Sequence, residues 1–410
     1  MNDTSRYAVG IDLGTTTVRC VVGHVDTTTG VPTIIGVAEV PNSGMRKGTV
    51  VTLSGPAQAI DNALGEAERM SGHQVDAATV SINGAHILST TADGMVAVGG
   101  PDHEINEEDV ARIEEVATLG KIPANRTVVQ VVPHNYRLDG QDNIRDPRGM
   151  TGTRLEVSAH VVSVMAPHMT SLEKALEMAS VTPQSVVPAV LAAGRAVLTE
   201  QQLENGVAVV DLGGTTTSLA VYEEGDLQYV AVIPVGGVNI TNDLAIGLKT
   251  DPEIADKVKL SHAMASGRKE AKDVSVTVDK QTYTFPTSDI DEVVGARLEE
   301  IFESVARELK KAGRAGKLPS GVVLTGGTAN MRGIGDYAKE ALGLAARVGK
   351  SAGYGGVAEN IENPEFASAV GLMLLDSEGY EPAARGKTQG AALMKDPGGL
   401  FKGLINKFKI

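Results

Sequence analysis

The stretch VVDLGGTTTSLAVY, Val209–Tyr222, repeats GIDLGTTTVRCVV, Gly10–Val22, with one residue inserted. Each copy sets an Asp, a glycine turn and threonines between two apolar, β-branched runs, the pattern of two strands joined by a tight hairpin. Two copies about two hundred residues apart in one chain predict duplicated half-domains, each offering one such turn.

The chemistry of the turn is readable from its residue types. In each copy the strand delivers an Asp (Asp12, Asp211), glycines bare backbone N–H groups (Gly14; Gly213 and Gly214), and threonines add hydroxyls (Thr15, Thr16; Thr215, Thr216). Consecutive exposed N–H groups form a nest for phosphate oxygens. A carboxylate repels phosphate, so Asp12 and Asp211 are expected to hold Mg²⁺ through water. One such hairpin is a common turn; two facing each other clamp a polyphosphate across a cleft. A third segment, VVLTGGTANMRGI (Val322–Ile334), supplies a strand, a Gly326–Gly327 turn followed by Thr328, and a helix. It reads either as a seat where a base and sugar approach the backbone or as an ordinary Gly-rich β–α turn.

Working outward, Tyr7–Asp12, Thr17–Val25 and Thr33–Val40 are expected as strands, Leu53–Ser71 as a helix and Ala78–Ile82 as a strand. The same grammar follows the second copy, with strands Ala208–Asp211, Thr217–Glu223 and Leu227–Pro234 and helices near Asn239–Gly247 and Glu253–Met264. The first half is assigned to 1–83 and 161–200, interrupted by an inserted subdomain at 84–160 with one charged helix (Asn106–Thr118) and strands Val128–Tyr136 and Leu155–Val164. Helices are expected at His168–Ser180 and Pro188–Thr199. The second half is assigned to 201–247 and 320–375, interrupted at 248–319 by a hairpin and a long helix, Ile290–Ala312, whose apolar face includes Arg297. Strand Val322–Thr325 and helices Met331–Leu342 and Phe366–Leu375 complete the half. Residues 376–397 read as a flexible linker and 398–410 as an amphipathic helix.

Composition narrows the class. Thirty-seven basic against fifty-one acidic residues give a net charge of −14, which argues against a nucleic-acid partner. With no Trp and only five Phe, the core falls to Val, Ala, Leu and Ile, as in α/β proteins. The single cysteine, Cys20, lies in an apolar strand and reads as core. The first residues carry no apolar signal region and no stretch approaches a membrane span, so a cytoplasmic protein is expected. The tail departs from the acidic body: Leu400, Phe401, Leu404, Ile405 and Phe408 fall on one helical stripe beside Lys402 and Lys407, the pattern of a helix lying in an anionic membrane surface.

Hairpin, hairpin and Gly-Gly turn in this order resemble the ATP-binding superfamily of actin, Hsp70 and sugar kinases. Within it the chain resembles the FtsA family of bacterial actin-like cell-division proteins, through VVPHNYRLDGQDNIRDPRGMTGTRLEVSAHVV (Val131–Val162), IPVGGVNITNDLAIGLKTDPEIADKVK (Ile233–Lys259), VLTGGTANMRGI and NPEFASAVGLMLL (Asn363–Leu375). The resemblance spans 7–375 and the basic tail. It implies an α/β, actin-like (ribonuclease H-like) pair of half-domains with an FtsA-type inserted subdomain and a C-terminal amphipathic helix. It further implies ATP and Mg²⁺ as ligands, filaments of the protein itself, anchorage of the FtsZ ring to the inner membrane face, and recruitment of later division proteins. The FtsZ C-terminal tail would dock on the second insertion, where the family's Arg-x-x-Glu maps to Arg297 and Glu300; a surface ion pair has the same spacing. Asp256 and Lys259 lie on a helix resembling the superfamily's ribose-contacting one, although a solvated ion pair fits them as well.

Two departures bear on activity. Relatives often carry Lys where this chain has Thr17, and a Gln or Glu before the Pro of the connecting helix where it has Val187 before Pro188. An apolar side chain neither positions nor deprotonates water, so slow ATP hydrolysis is expected. A soluble small-molecule kinase would need a catalytic carboxylate facing an acceptor pocket. A chaperone would need a large region after Leu375, and a pilus-assembly scaffold of the same fold generally lacks a basic amphipathic tail.

Overall fold

The computed structural model describes residues 6–379 apart from 27, 101, 120, 269 and 357–359. The expected linker beyond Gly379 and the amphipathic tail with Leu400, Phe401, Lys402, Leu404, Ile405, Lys407 and Phe408 lie outside the described residues.

The first hairpin is β1 (Arg6–Leu13) and β2 (Thr17–Val25), extended by β3 (Pro32–Pro41). A short hairpin, β4 (Met45–Arg46) and β5 (Thr49–Val50), leads to α1 (Ser54–Ser71) and β6 (Ala77–Ile82). The inserted subdomain follows as β7 (Leu88–Ala97), α2 (Glu107–Thr118), β8 (Arg126–Leu138), β9 (Gln141–Ile144) and β10 (Arg154–Met165). The first half resumes with α3 (Ala166–Met178), β11 (Thr182–Pro188) and α4 (Ala189–Val197), and α5 (Glu200–Asn205) leads to the second.

There the second hairpin, β12 (Val207–Leu212) and β13 (Thr217–Glu223), is extended by β14 (Asp226–Ile233) and followed by α6 (Gly237–Gly247). The second insertion holds α7 (Pro252–His262), β15 (Asp273–Val278), β16 (Gln281–Pro286) and α8 (Thr287–Lys311). β17 (Val322–Thr325), α9 (Ile334–Leu342), β18 (Ala346–Val348) and α10 (Ala367–Ser377) complete the described chain.

The duplication is explicit in the sheets. The first runs β3-β2-β1-β6-β11 and the second β14-β13-β12-β17-β18. In both, the three hairpin strands are antiparallel and the last two are parallel. The inserted subdomain is a separate antiparallel sheet, β7-β10-β8-β9, with α2 on one face. Toward the second half, His134 Nδ1 lies 3.6 Å from Asp226, and Arg145 pairs with Glu204 at 3.4 Å.

The period-two alternation of β12 sorts its residues between two cores. Ala208, Val210 and Leu212 face α6, α8 and α9, whereas Val207 and Val209 join the cluster containing α4 and α10. All eleven residues of α10 are buried. Small residues allow this: Ala192 of α4 meets Gly371, and the backbone of α10 rests on Gly10 of β1.

Several expectations need correction. The helix expected from Phe366 runs to Ser377, so Asp376 does not open a linker; it is buried, and accepts from Val9 N at 2.9 Å and Thr79 Oγ1 at 2.7 Å. The helix expected from Met331 begins at Ile334, after a 3-10 turn at Gly327–Asn330. Strands β4, β5, β7, β9, β11 and β18 and helix α5 add to the elements expected from the sequence. The core face of α8 uses Leu298 where Arg297 was expected, because a guanidinium lacking a buried acid on that face lies better at the core edge.

Candidate functional site

The two hairpin turns meet across a cleft of about 870 Å³ between the halves. Thr215 Oγ1 donates to Thr15 Oγ1 at 2.9 Å, so the turns touch through hydroxyls. Each turn is braced from behind. Asn42 holds the first, with Nδ2 donating to Gly14 O at 2.7 Å and its backbone N to Thr16 O at 2.8 Å. The first turn of α6 holds the second, with Gly237 N donating to Gly213 O at 2.9 Å and Val238 N to Gly214 O at 2.7 Å. Fixing the carbonyls from behind favours presentation of N–H groups to the cleft.

Asp12 and Asp211 lie one residue before the ends of β1 and β12, and both line the cleft. Asp12 accepts from Ser81 Oγ at 2.8 Å, and burial raises its carboxyl above the usual range. Burial and then the charge of Asp12 push Asp211 to about 7. Arg19, opposite Asp12 in the β1–β2 register, opposes both shifts while pairing with Glu39 at 2.7 Å. No group of three or more His, Cys, Asp or Glu fit to hold a metal occurs among the described residues. Two desolvated carboxylates whose ionisation is opposed fit a divalent cation held through waters and shared with phosphate, rather than an all-protein cage.

Beside Asp211 on the cleft wall, Gly326 takes φ +84°, and a Cβ there would lie 2.2 Å from Asp211 Oδ1, so only glycine leaves room for that carboxylate. Gly327 and Thr328 line the same wall. The Thr328 hydroxyl donates to Gly213 O at 3.2 Å, which makes it a brace of the second turn as well as part of the seat. Opposite, Lys259 Nζ donates to Asp256 Oδ1 at 2.6 Å and to Thr241 Oγ1 at 2.7 Å, and Asp256 also accepts from Thr241 at 2.9 Å. Burial raises the Asp256 carboxyl, but these contacts outweigh it and hold the group below its usual range. Asp256 and Lys259 therefore form a fixed pair on the cleft wall, and both line the cavity.

Arg297 and Glu300 lie apart from the cleft. Arg297 clamps Asp243 of α6 with two bonds, Nε to Oδ2 at 2.5 Å and Nη2 to Oδ1 at 3.0 Å, and pairs with Glu300. Its guanidinium is thus an inter-helix tie, and Glu300, with about half of its side chain exposed (53%), is the accessible member. One turn beyond Asp243, Ile246 is 77% exposed. Val187 is wholly buried, so the position before Pro188 presents no polar atom to the cleft.

Arg19, Asn42, Ser81, Asn83 and Thr241 were not singled out from sequence. Arg19 had a signal, since it shares a strand face with Thr17 two residues earlier. Asn83 had another: it follows the carboxyl end of β6, where open α/β sheets collect ligand-facing residues.

Comparison with known proteins accords with this architecture. The family profile described as cell division protein FtsA matches residues 208–371, and that of the SHS2 domain inserted in FtsA matches 84–163. The chain is 33% identical over 402 residues to the cell division protein FtsA of Pseudomonas aeruginosa, covering 96% of each. Among solved structures, a chain of the PilM-PilN type IV pilus biogenesis complex superposes with a TM-score of 0.65 at 19% identity, covering 92% of this chain and 99% of that one. MreB5 of Spiroplasma citri bound to ADP gives 0.55 at 12% identity, covering 90% and 96%. The fold is therefore actin-like, and the chain belongs to the FtsA family of cell division proteins.

Proposed function

We propose that this actin-like division protein binds ATP with Mg²⁺ between its halves, assembles into filaments, and ties the FtsZ ring to the inner face of the cell membrane at the division site, where it recruits later division proteins. The observation that carries the nucleotide reading is the meeting of the two Asp-x-Gly-Thr turns across one cleft, hydroxyls 2.9 Å apart, beside two desolvated carboxylates. Gly14, Thr15, Thr16, Gly214, Thr215 and Thr216 would take phosphate oxygens, whereas Gly213, expected from sequence to do the same, spends its N–H on Thr216 O at 2.9 Å and shapes the turn instead. Asp12 and Asp211 would hold the cation through water, and Gly326, Gly327, Thr328, Asp256 and Lys259 would flank the adenosine. The cation, when bound, would neutralise phosphate charge. With Val187 buried, ATP acts mainly as a structural ligand, and turnover is expected well below about 1 per second in a phosphate-release assay.

The FtsZ tail is assigned to the second insertion, with Glu300 and the exposed Ile246 at its edge and Arg297 as the residue that fixes α8 against α6. The membrane is assigned to the apolar stripe and lysines of 398–410. Each lysine adds about 1 kcal/mol near anionic lipid, so one tail binds reversibly and a filament of tails binds stably through avidity.

Co-sedimentation with anionic liposomes tests both parts. The full chain is expected to sediment, more so with ATP, and a chain ending at Asp396 to remain in solution. Equal behaviour of the two chains overturns the membrane assignment. Co-precipitation with FtsZ separates this reading from a pilus-type scaffold of the same fold.

A further inference from the structure

The chain passes from β6 into the inserted subdomain through Asn83 and Gly84. Asn83 is half-buried at the cleft wall. Its Nδ2 donates to Thr216 Oγ1 at 3.1 Å, and its Oδ1 accepts from Ser218 Oγ at 3.1 Å and from Gly84 N at 2.8 Å. One side chain of the first half thus holds the second phosphate turn and, at the same time, the first residue of the insertion.

The segment has no slack. Gly84 takes φ +124°, and a Cβ there would lie 2.9 Å from both His86 Cδ2 and Thr49 Cγ2. Gly48 packs so closely that its own Cβ would lie 2.8 Å from Gly84 N, and its N–H donates to Thr15 Oγ1 at 3.1 Å. Both phosphate turns therefore bear on this entry segment, one through Gly48 and one through Asn83. Beyond it, Arg126 ties the outgoing chain to the returning one, donating to His86 O at 2.5 Å and to Ser163 Oγ and O at 2.9 and 2.8 Å.

Hydroxyl accounting gives the direction of the effect. Thr216 Oγ1 accepts from Asn83, and Thr15 Oγ1 accepts from Thr215 and from Gly48 N. Each of these two hydroxyls keeps a proton that no acceptor among the described residues takes. A phosphate oxygen at the turns would accept both, and a hydroxyl that donates to an anion becomes a better acceptor. The bond from Asn83 to Thr216 is then strengthened rather than broken.

We propose that Asn83 is a positioning residue that transmits the phosphate-bound state of the cleft to the inserted subdomain, by tightening its hold on Thr216 and so ordering the entry segment and β7. The proposal rests on the nucleotide reading above. A protein docking on the insertion would meet a stiffer surface when the cleft is filled.

Amide hydrogen exchange on the full chain, with and without MgATP at concentrations that titration shows to saturate each variant, tests it. The wild type is expected to slow severalfold both at the two turns and across residues 83–97. Asn83→Ala keeps the slowing at the turns and loses it across 83–97. Asn83→Asp, which keeps the acceptor for Ser218 and Gly84 but not the donor to Thr216, gives the same loss should the alanine variant not fold. Ser218→Ala, which leaves the bond to Thr216, retains both effects. Slowing across 83–97 that survives in the Asn83 variants, or that is missing from a wild type whose turns do slow, overturns the proposal. A wild type that binds no ATP shows no change at the turns; that result refutes the nucleotide reading, and the proposal with it.

Discussion

Gly371→Ala is expected to cost at least about 3 kcal/mol of folding stability, beyond the ordinary range for a surface substitution. A Cβ at 371 would lie 1.7 Å from the carbonyl oxygen of Ala192 and 2.4 Å from its carbon, so α10 and α4 would have to move apart. The opposite side of α10 offers no room for this. There, a Cβ on Gly10 of β1 would already lie 2.3 Å from Ala369 O, which shows how closely strand and helix backbones approach. Gly65→Ala is the matched control. It lies inside α1 with nothing within 4 Å of a new Cβ, so the gain in helix propensity should stabilise by up to about 1 kcal/mol. Urea unfolding of the two variants should shift the midpoint in opposite directions; an unchanged midpoint for Gly371→Ala would contradict the packing of α10 described above.

Glu114→Gln is expected to abolish a pH dependence of stability centred in the inserted subdomain. Glu114 is buried against Tyr136, whose Oη donates to Oε1 at 3.0 Å. Burial pushes its carboxyl from 4.5 to about 7. Between those values the folded chain holds a proton that the unfolded chain has released, so stability falls as pH rises through this window and levels off above about 7. At about 1.4 kcal/mol per unit the loss is about 3 kcal/mol. The glutamine stays neutral and keeps an oxygen for Tyr136. Denaturation near pH 5 should find the two proteins similar, whereas near pH 8 the variant should be the more stable by about 2–3 kcal/mol. Parallel profiles would show that Glu114 remains ionised when folded.

The parts of the fold legible in the sequence are those whose pattern is local. Thr17–Val25, Thr217–Glu223 and Val322–Thr325 fall where alternation and β-branching put them, because each is a buried strand bounded by a glycine turn. β7 was obscured by its threonines and by Gly94, which lets α2 approach: a Cβ there would lie 2.7 Å from Ile113 O. β11 contains Pro183 and ends at Pro188, and β18 is only three residues long, so neither carries a periodic signal of its own. The site divides in the same way. The Asp, Gly and Thr residues of the turns advertise themselves, since their types are the chemistry. Asn83 and Arg19 matter through what lies across from them, and for Asn83 those partners are more than a hundred residues away in the chain.

The burial of α10 bears on how the protein is made. Asp376 closes onto Val9 across 367 residues, so the earliest strand to leave the ribosome waits for one of the last described helices to complete its packing. From Pro188, the end of the first half's sheet, to Ser377 is about 190 residues, or roughly 10–40 s of synthesis at bacterial and eukaryotic rates. Throughout that interval the apolar face destined for α10 stands open on the nascent chain. Slower elongation over the second half would lengthen the exposure, and a holding chaperone during translation would shorten its consequences.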